Sequence, residues 1–591
     1  MAIDGVSIAA VALELQGLAN SRITKIYQPE RREIIVHCRQ PGASLPLVLS
    51  SDVQNARAHL ATILPENPPS PPAFCMLLRK YLEGGRIVAI AQPSLERILE
   101  FSIENLGERG ELTNYRLIVE MMGRHSNIIL VNELNIVLDA ITRVDSRINR
   151  HREILPGVPY VLPPKQDKTY PMDLTWQTFL TRLAPAEPRA RLTRLVLDSI
   201  GGIGPLTAKE LVYRSGHDTA STRQDLDEAG LEALYKTIVD LAKSIEQGAH
   251  SPELLKDAEG KLIDVSAIAL THCPAEHRQA FDSISLALEL FYGTRAAHSK
   301  MASAKANLSR VVGGHLRRVD RKLTIQKKAL DQAEAADTHR IFGELLTSNL
   351  YRVEKGMESI TVPNFYAPDQ GEIEIPLDAR LTPSGNAQAY FRRYDKAKKT
   401  KIAGQRQYNR TLREKKYLEQ VQATIDLAQD SRDIKEIARE LIEESYMKAK
   451  QADSRKRRPP APSLPLRFRS QDGLDIYVGR NNRQNDHVTF KIGRPDDIWL
   501  HVKEIPGSHV IIKSHGGEIP SQTMEEAALL AAYYSKAQDG ENVPVDYTLR
   551  KHVRKPRGAR PGMVIYDHQR TLYVSPKPNT IEPIRARIVR D

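Results

Sequence analysis

The stretch "DDIWLHVKEIPGSHVIIK" interleaves an indole, two imidazoles and two ammonium groups with aliphatic residues. Period-2 alternation puts Ile498, Leu500 and Val502 on one strand face and Trp499, His501 and Lys503 on the other. After the Pro506-Gly507 turn, Val510 and Ile512 alternate with His509, Ile511 and Lys513. One face of this hairpin suits a core. The other suits a catalytic site, a metal site or a nucleic-acid platform. An exposed Trp499 can stack a base while His501, Lys503 and His509 hold phosphates; the competing reading is a ring packed beneath a neighbouring helix. Just upstream, "GRNNRQND" offers Arg480, Asn481, Asn482, Asn485 and Asp486, groups able to read base edges or 2′-hydroxyls. The bland reading of that run is a polar turn with Asx capping. From Arg550 to Arg560, six of eleven residues, Arg554 and Lys555 among them, are Lys or Arg and none is acidic.

Bond-breaking chemistry finds little support. Ser508 and His509 are adjacent, so on a strand they face opposite ways. No G-x-S-x-G, H-E-x-x-H or P-loop lysine motif occurs. "HCPAEH" offers His272, Cys273 and His277 without a second ligand pair, which reads as a helical surface cluster and not a metal site. No catalytic residue, metal or cofactor is expected, and the chain is not expected to be an enzyme.

With 591 residues the chain exceeds one core, and 41% hydrophobic against 27% charged residues suits a multi-domain protein. The net charge of +12 is modest for that length, so its distribution matters more than its size. Three scattered cysteines, Cys38, Cys75 and Cys273, fit a reducing compartment. No apolar run reaches a membrane span, and "MAIDGVSIAAVALELQ" lacks a basic leader. A cytoplasmic protein without a membrane partner is expected.

The elements that position these groups give a multi-domain α+β fold. Residues 1–172 read as a mixed α/β domain, with helices at Ser7–Ala19 and "AFCMLLRKYLEGG" among strands such as "RITKIYQ", "RILEFSIEN" and "NIILVNE". Residues 173–290 read as helical throughout, with "IGGIG" forming a helix-hairpin-helix turn. Its glycines permit close backbone approach, and the helix starting near Pro205 presents amides suited to a phosphate, though many such units only pack. Residues 291–455 read as a long antiparallel coiled-coil arm. Leu316, Val319, Leu323, Gln326, Leu330 and Ala333 form one seam and Leu418, Val421, Ile425 and Ala428 the other, around a small β insert at about 350–385. Helices of about fifty residues would reach roughly 75 Å. Between Arg392 and Lys416 eleven Lys/Arg face only Asp395 and Glu414, too one-sided for salt-bridge lacing. Arg392, Arg393, Lys396, Lys398 and Lys399 head this candidate anion-binding stripe. Residues 456–463 read as a basic, proline-rich linker, 464–580 as a β-rich α+β domain with a helix at "SQTMEEAALLAAYYSKA", and 581–591 as a tail.

Several long motifs occur in one order along essentially the whole chain: "RITKIYQP", "PPAFCMLLRKYLEGGRI", "EMMGRHSNIIL", "LPGVPYVLPP", the glycine hairpin, "NAQAYFRRYDKAKK" and "DGLDIYVGRNNRQNDHVTFK" followed by the tryptophan hairpin. In these the chain resembles the NFACT family. The resemblance implies a ribosome-associated quality-control factor that binds the large ribosomal subunit, through its rRNA, while peptidyl-tRNA is still attached. It implies recruitment of alanyl-tRNA, so that the stalled chain gains an untemplated alanine tail, a mark for degradation, with the ribosome supplying peptidyl transfer. A small RNA-binding helper protein fits the same scheme. By this resemblance the tRNA-recruiting pair falls on Glu96 and Arg97 in "SLERILEF", with Glu where the family's bacterial tailing members carry Asp. A second motif falls on Arg124, His125, Ser126 and Asn127. A guanidinium beside a carboxylate suits a phosphate or a base edge, the alternative being an ordinary strand-edge ion pair. The terminal domain then reads as an RNA grip made by Arg480, Asn481, Asn482, Asn485, Asp486, Trp499, His501, Lys503, Ser508, His509, Arg554 and Lys555. Two other readings stand beside it, a fibronectin-binding surface adhesin of the same family and a general RNA-binding chaperone. The N-terminal region also resembles formamidopyrimidine-DNA glycosylases in layout. Those enzymes start with a nucleophilic proline followed by glutamate, whereas this chain starts Met1-Ala2-Ile3, so base excision is not expected.

Overall fold

Nine strands form one antiparallel sheet: β1 (Arg22–Glu30), β2 (Glu33–Gln40), β3 (Ala43–Ser50), β4 (Arg57–Leu60), β5 (Arg86–Ala91), β6 (Ile98–Leu106), β7 (Leu112–Glu120), β8 (Asn127–Asn132) and β9 (Val137–Ala140). The order is β4-β3-β2-β1-β5-β6-β7-β8-β9, a run of hairpins broken only where the helix Ala73–Leu82 separates β4 from β5. The computed structural model describes residues 3–107, 110–183, 185–334, 336–368, 371–448 and 463–589, in two units, Met1–His298 and Ser299–Asp591. Among the described residues no helix is long and apolar enough to cross a membrane.

In the first unit β6, β7 and β8 are buried on both faces. Leu99, Phe101, Leu117 and Leu130 join the main core, while Ile98, Ile118 and Ile129 pack with Ile154 and Tyr160 on the other side. The main core continues through the helices Trp176–Leu183, Leu192–Ser199, Pro205–Arg214 and Glu228–Glu246 to Tyr292. Residues 173–290 therefore share the sheet's core. Nor are they helical throughout, as the sequence suggested: Glu253–Lys256, Leu262–Ser266 and Arg278–Ala280 form a three-stranded sheet. "ELLK" and "LIDVS" are short apolar runs on either side of a turn at Gly260, whose φ is +78°, a hairpin pattern that the surrounding helices masked. "HCPAEH" is likewise no helical cluster. It contains a single 3₁₀ turn, Ala275–His277, and His272 Nδ1 lies 2.6 Å from Glu210, a carboxylate that Thr271 and Arg214 also bond.

The second unit opens on the arm. The 51-residue helix Ile284–Glu334 runs antiparallel to the 45-residue helix Pro383–Leu427, since Lys305 meets Asp426, Asp320 meets Lys415, and Leu330 lies beside Gly404. Val319, Leu418, Val421, Ile425 and Ala428 lie in one buried seam with Leu316 and Leu323 at its edge, as the heptad spacing requires. Ala333 lies outside the side chains described here. A hairpin of Ser359–Pro363 and Glu372–Pro376 forms the β insert. The proline-rich linker, apart from Ser463, falls outside the described residues.

A seven-stranded sheet makes the terminal domain, in the order Arg570–Val574, Val543–Leu549, Ile498–Val502, Val510–Ile512, Asp475–Val478, Leu466–Arg469, Ile588–Val589. The helix Ser521–Tyr533 covers its aliphatic face. Residues 581–589 are not a tail. Ile581 and Ile584 enter this core from the helix Pro578–Arg585, and Ile588–Val589 adds the last strand beside Leu466–Arg469.

Candidate nucleic-acid interface

The turn Leu95-Glu96-Arg97 enters β6 at a point where three backbone segments press together. A Cβ on Gly5 would lie 2.0 Å from the Leu95 carbonyl oxygen and 2.7 Å from that of Gly202. At Gly202, with φ +79°, it would lie 2.4 Å from the Leu95 Cβ. Only glycine permits this approach. Asp4 ties the junction: Oδ1 accepts from Ser7 N (2.8 Å), while Oδ2 accepts from Gly204 N (3.0 Å) and the Thr207 hydroxyl (2.6 Å). The chain's own carboxylate thus lies beside the helix start that the sequence offers to a phosphate, bonded to the residue before the helix and to a first-turn side chain. Beside it opens a cleft of about 280 Å³, lined in part by Asp4, Glu96, Arg97, Gln166, Lys168 and Tyr170. Glu96 accepts a hydrogen bond from the Tyr170 hydroxyl. Arg97 makes no side-chain hydrogen bond or ion pair with a described residue. The pair is therefore no strand-edge salt bridge.

Met121 N donates to Arg97 O, and Glu120 pairs with both Ile98 and Asn127. The link between β7 and β8 consequently lies at the same sheet end. There Arg124 and His125 are exposed, with Arg124 Nε 3.0 Å from His125 Nε2. Asn127 is not available to RNA. It is 1% exposed, and its amide bonds both the N–H and the carbonyl of Thr142 (3.1 and 2.8 Å), clamping the start of β8 to the chain leaving β9. Ser126 is buried as well. The sequence reading passed over the segment that follows this clamp, "TRVDSRINRHR", whose exposed Arg143, Arg147, Arg150 and His151 outnumber Asp145. Arg143 and Arg147 pair with Asp139 and Asp145 at 2.9 and 2.6 Å, which leaves Arg150 and His151 as its further basic groups.

In the terminal domain Ile498–Val502 and Val510–Ile512 pair as the alternation implies, Trp499 opposite Ile511. The supposed open face is a second core. Trp499 is 0% exposed and packs with Val488, Ile511 and Val553, beneath Phe490 and Tyr566. His501 stacks on it at 5.8 Å, and His509 meets it edge-on at 5.2 Å while bonding the Thr489 hydroxyl at 2.8 Å. Ser508 is buried and donates its N–H to Tyr534 O. Trp499, Ser508 and His509 therefore form no RNA platform. Burying an indole of about 200 Å² contributes on the order of 5 kcal/mol, more than the ~1–3 kcal/mol of stacking one base. Burial pushes His501 down to about 4 and His509 well below its ordinary value.

"GRNNRQND" also faces inward. Asn481 caps the short helix Asn482–His487 by accepting from Gln484 N, the Asx-turn reading. The run then docks on the acidic face of the helix Ser431–Glu443. Arg480 reaches Asp430 and Asp433 (3.1 and 3.3 Å), Asn481 donates to Glu436 (2.7 Å), and Asn482 donates to Glu440 (2.8 Å), which also accepts from Tyr417. Asn485 accepts from His509 N, and Asp486 pairs with Lys555. Arg480, Asn481 and Asn482 thus fasten the terminal domain to the base of the arm, while Asn485, Asp486 and Lys555 are engaged within the domain itself. The signal was the acidic stripe Asp430, Asp433, Glu436, Glu440 at helical spacing. Arg560 completes the joint, its guanidinium 4.7 Å from the Tyr417 ring and 4.9 Å from that of Tyr446.

The groups left facing solvent are Lys503 and Arg554 on the domain, and Arg392, Arg393, Lys396, Lys398 and Lys399 on the arm. His552, Asp567 and His568 bring ligand atoms within 4.8 Å of one another, but Arg554 lies 4.0 Å from Asp567 and its charge opposes a bound cation. Two tests follow from the buried tryptophan face. Trp499→Ala is expected to cost about 3–5 kcal/mol in urea unfolding, where a surface platform would cost less than about 0.5. An unfolded imidazole protonates near pH 6.5 and folded His501 near 4, so between these values the unfolded state holds the extra proton. The pair's contribution to stability is whole above 6.5 and declines as pH falls. In a histidine Cε1–H titration both resonances should stay at their neutral positions at pH 5.5; titration near 6.5 would mean an open face.

Comparison with known proteins gives long matches. The chain is 39% identical over 583 residues to the Rqc2 homolog RqcH of Bacillus subtilis, covering 98% of this chain and 99% of that one. It is 34% identical over 590 residues to the Rqc2 homolog RqcH of Streptococcus suis, covering 99% and 100%. The N-terminal part of the fibronectin/fibrinogen-binding protein of Streptococcus suis, a solved structure, aligns with TM-score 0.41 at 30% identity over 49% of this chain and 99% of that one. The family description "NFACT N-terminal and middle domains" matches residues 4–459 and "NFACT protein RNA binding domain" matches 465–566, and the chain belongs to the NFACT family.

Proposed function

We propose that this ribosome quality-control factor binds stalled large ribosomal subunits that still carry peptidyl-tRNA and recruits alanyl-tRNA to them. The outcome is an untemplated alanine tail on the nascent chain, a mark for degradation. The observation that carries the reading is Arg97, a guanidinium with no hydrogen-bond partner among the described residues, set beside Glu96 in a cleft. Exposed Arg124 and His125 lie at the same sheet end. A fork of donors next to an acceptor suits a tRNA base edge flanked by phosphate. In this reading Lys503, Arg554 and the basic arm residues meet rRNA phosphates, a contact set that gives affinity without sequence readout. By the same reading peptidyl transfer belongs to the ribosome, the setting is cytoplasmic, and a small RNA-binding helper protein assists.

The reading separates two activities by position. The double variant Glu96→Ala/Arg97→Ala is expected to abolish alanine tails on a stalled reporter and to leave recovery of large-subunit rRNA within about twofold, because most of the phosphate-binding charge lies elsewhere. Reporter tails of normal length in the double variant would contradict the assignment.

A further inference from the structure

Tyr170 belongs to no motif, yet its hydroxyl donates to Oε1 of Glu96. The glycine hairpin holds it there. Thr169 N donates to Ser199 O (3.0 Å) and Gly201 N to Thr169 O (2.9 Å), and Pro171 restricts the backbone of Tyr170 before it to an extended conformation. The ring lies against Gly201, where a Cβ would stand 2.9 Å from Cδ1 and Cε1. Gly201 is thus glycine because the phenol needs its space. Burial and the Glu96 carboxylate push the phenol well above its ordinary value, so it remains a donor throughout the physiological range. Tyr170, Glu96 and Arg97 line the same cleft.

A glutamate reaches one methylene further than an aspartate and has one more bond to rotate, so an unheld carboxylate here would sample several positions. With Oε1 engaged by Tyr170, Oε2 has no partner among the described residues and stays in place as an acceptor. We propose that Tyr170 is a positioning residue for tRNA selection. It holds the Glu96 carboxylate so that the free oxygen accepts an N–H from a tRNA base while Arg97 meets the adjoining edge or phosphate. This rests on the tRNA-recruiting reading above.

The test is a double-mutant cycle on the tagged chain purified with its RNA from its own cells. Tyr170→Phe, Glu96→Gln and the combination are compared, with large-subunit rRNA and every tRNA counted by sequencing. Phenylalanine keeps the ring against Gly201. Tyr170→Phe should leave rRNA recovery unchanged and lower enrichment of the selected tRNA roughly 10-fold, the effect of losing one hydrogen bond to a charged group. In the Glu96→Gln background the same change should alter enrichment by less than about twofold. An equal loss in both backgrounds would make Tyr170 a packing residue and overturn the proposal, as would no loss at all. If the unsubstituted chain enriches no tRNA, the recruiting reading itself fails, an outcome visible before any variant is compared.

Discussion

The carboxylate of Asp4 and the glycines beside it hold the N-terminal site together. Gly5 and Gly202 let three chain segments meet at backbone distance, and Asp4 closes the meeting with bonds to Ser7, Gly204 and Thr207. Everything at the cleft depends on that contact. Leu95 is pinned between Gly5 and Gly202, so the next two residues, Glu96 and Arg97, leave the junction in a set direction. Asp4 sets a carboxylate beside the helix start, a charge that opposes a phosphate there, so the helix-hairpin-helix turn serves here as a scaffold. The basic side chains of this region, Arg97, Arg124 and His125, lie instead at the end of the sheet.

The terminal domain shows the opposite use of polar residues. Asn481, Asn482 and Arg480 are turned onto an acidic helix face, where each amide or guanidinium finds a carboxylate. Two of those acids, Asp433 and Glu440, are deeply buried. Burial raises Asp433 to about 6 and Glu440 above its ordinary range, the sense expected when desolvation exceeds the help from neighbouring donors. Such a joint specifies how the arm base and terminal domain pack more than it adds stability. It leaves the outward face of the domain to Lys503 and the basic run around Arg554.

The sequence made the strands, the arm seam and the glycine hairpin legible because each has a period or a punctuation mark of its own. Trp499 and His501 were correctly placed on one strand face. What alternation could not say was that the second face would be covered too, because the cover is a π turn at Val488–Ile492 and a two-residue ribbon, neither with a pattern that reads from sequence. Asn127 was misjudged for a related reason. Its partner, Thr142, sits fifteen residues away across a strand pair, and a buried amide clamp looks like a binding residue when only its type is known. Tyr170 was invisible because its role depends on a fold contact with Gly201 and on a glutamate 74 residues earlier. The sequence of residues 581–591 reads as a tail because two short elements near a chain end carry little periodicity.

In the proposed function this chain brings one kind of tRNA to the large ribosomal subunit. The most direct measurement is to purify the tagged protein from its own cells and sequence the RNA that accompanies it. Large-subunit rRNA together with one strongly enriched tRNA, alanine-accepting, is the expected result. RNA recovered in its cellular proportions, or none, would contradict it.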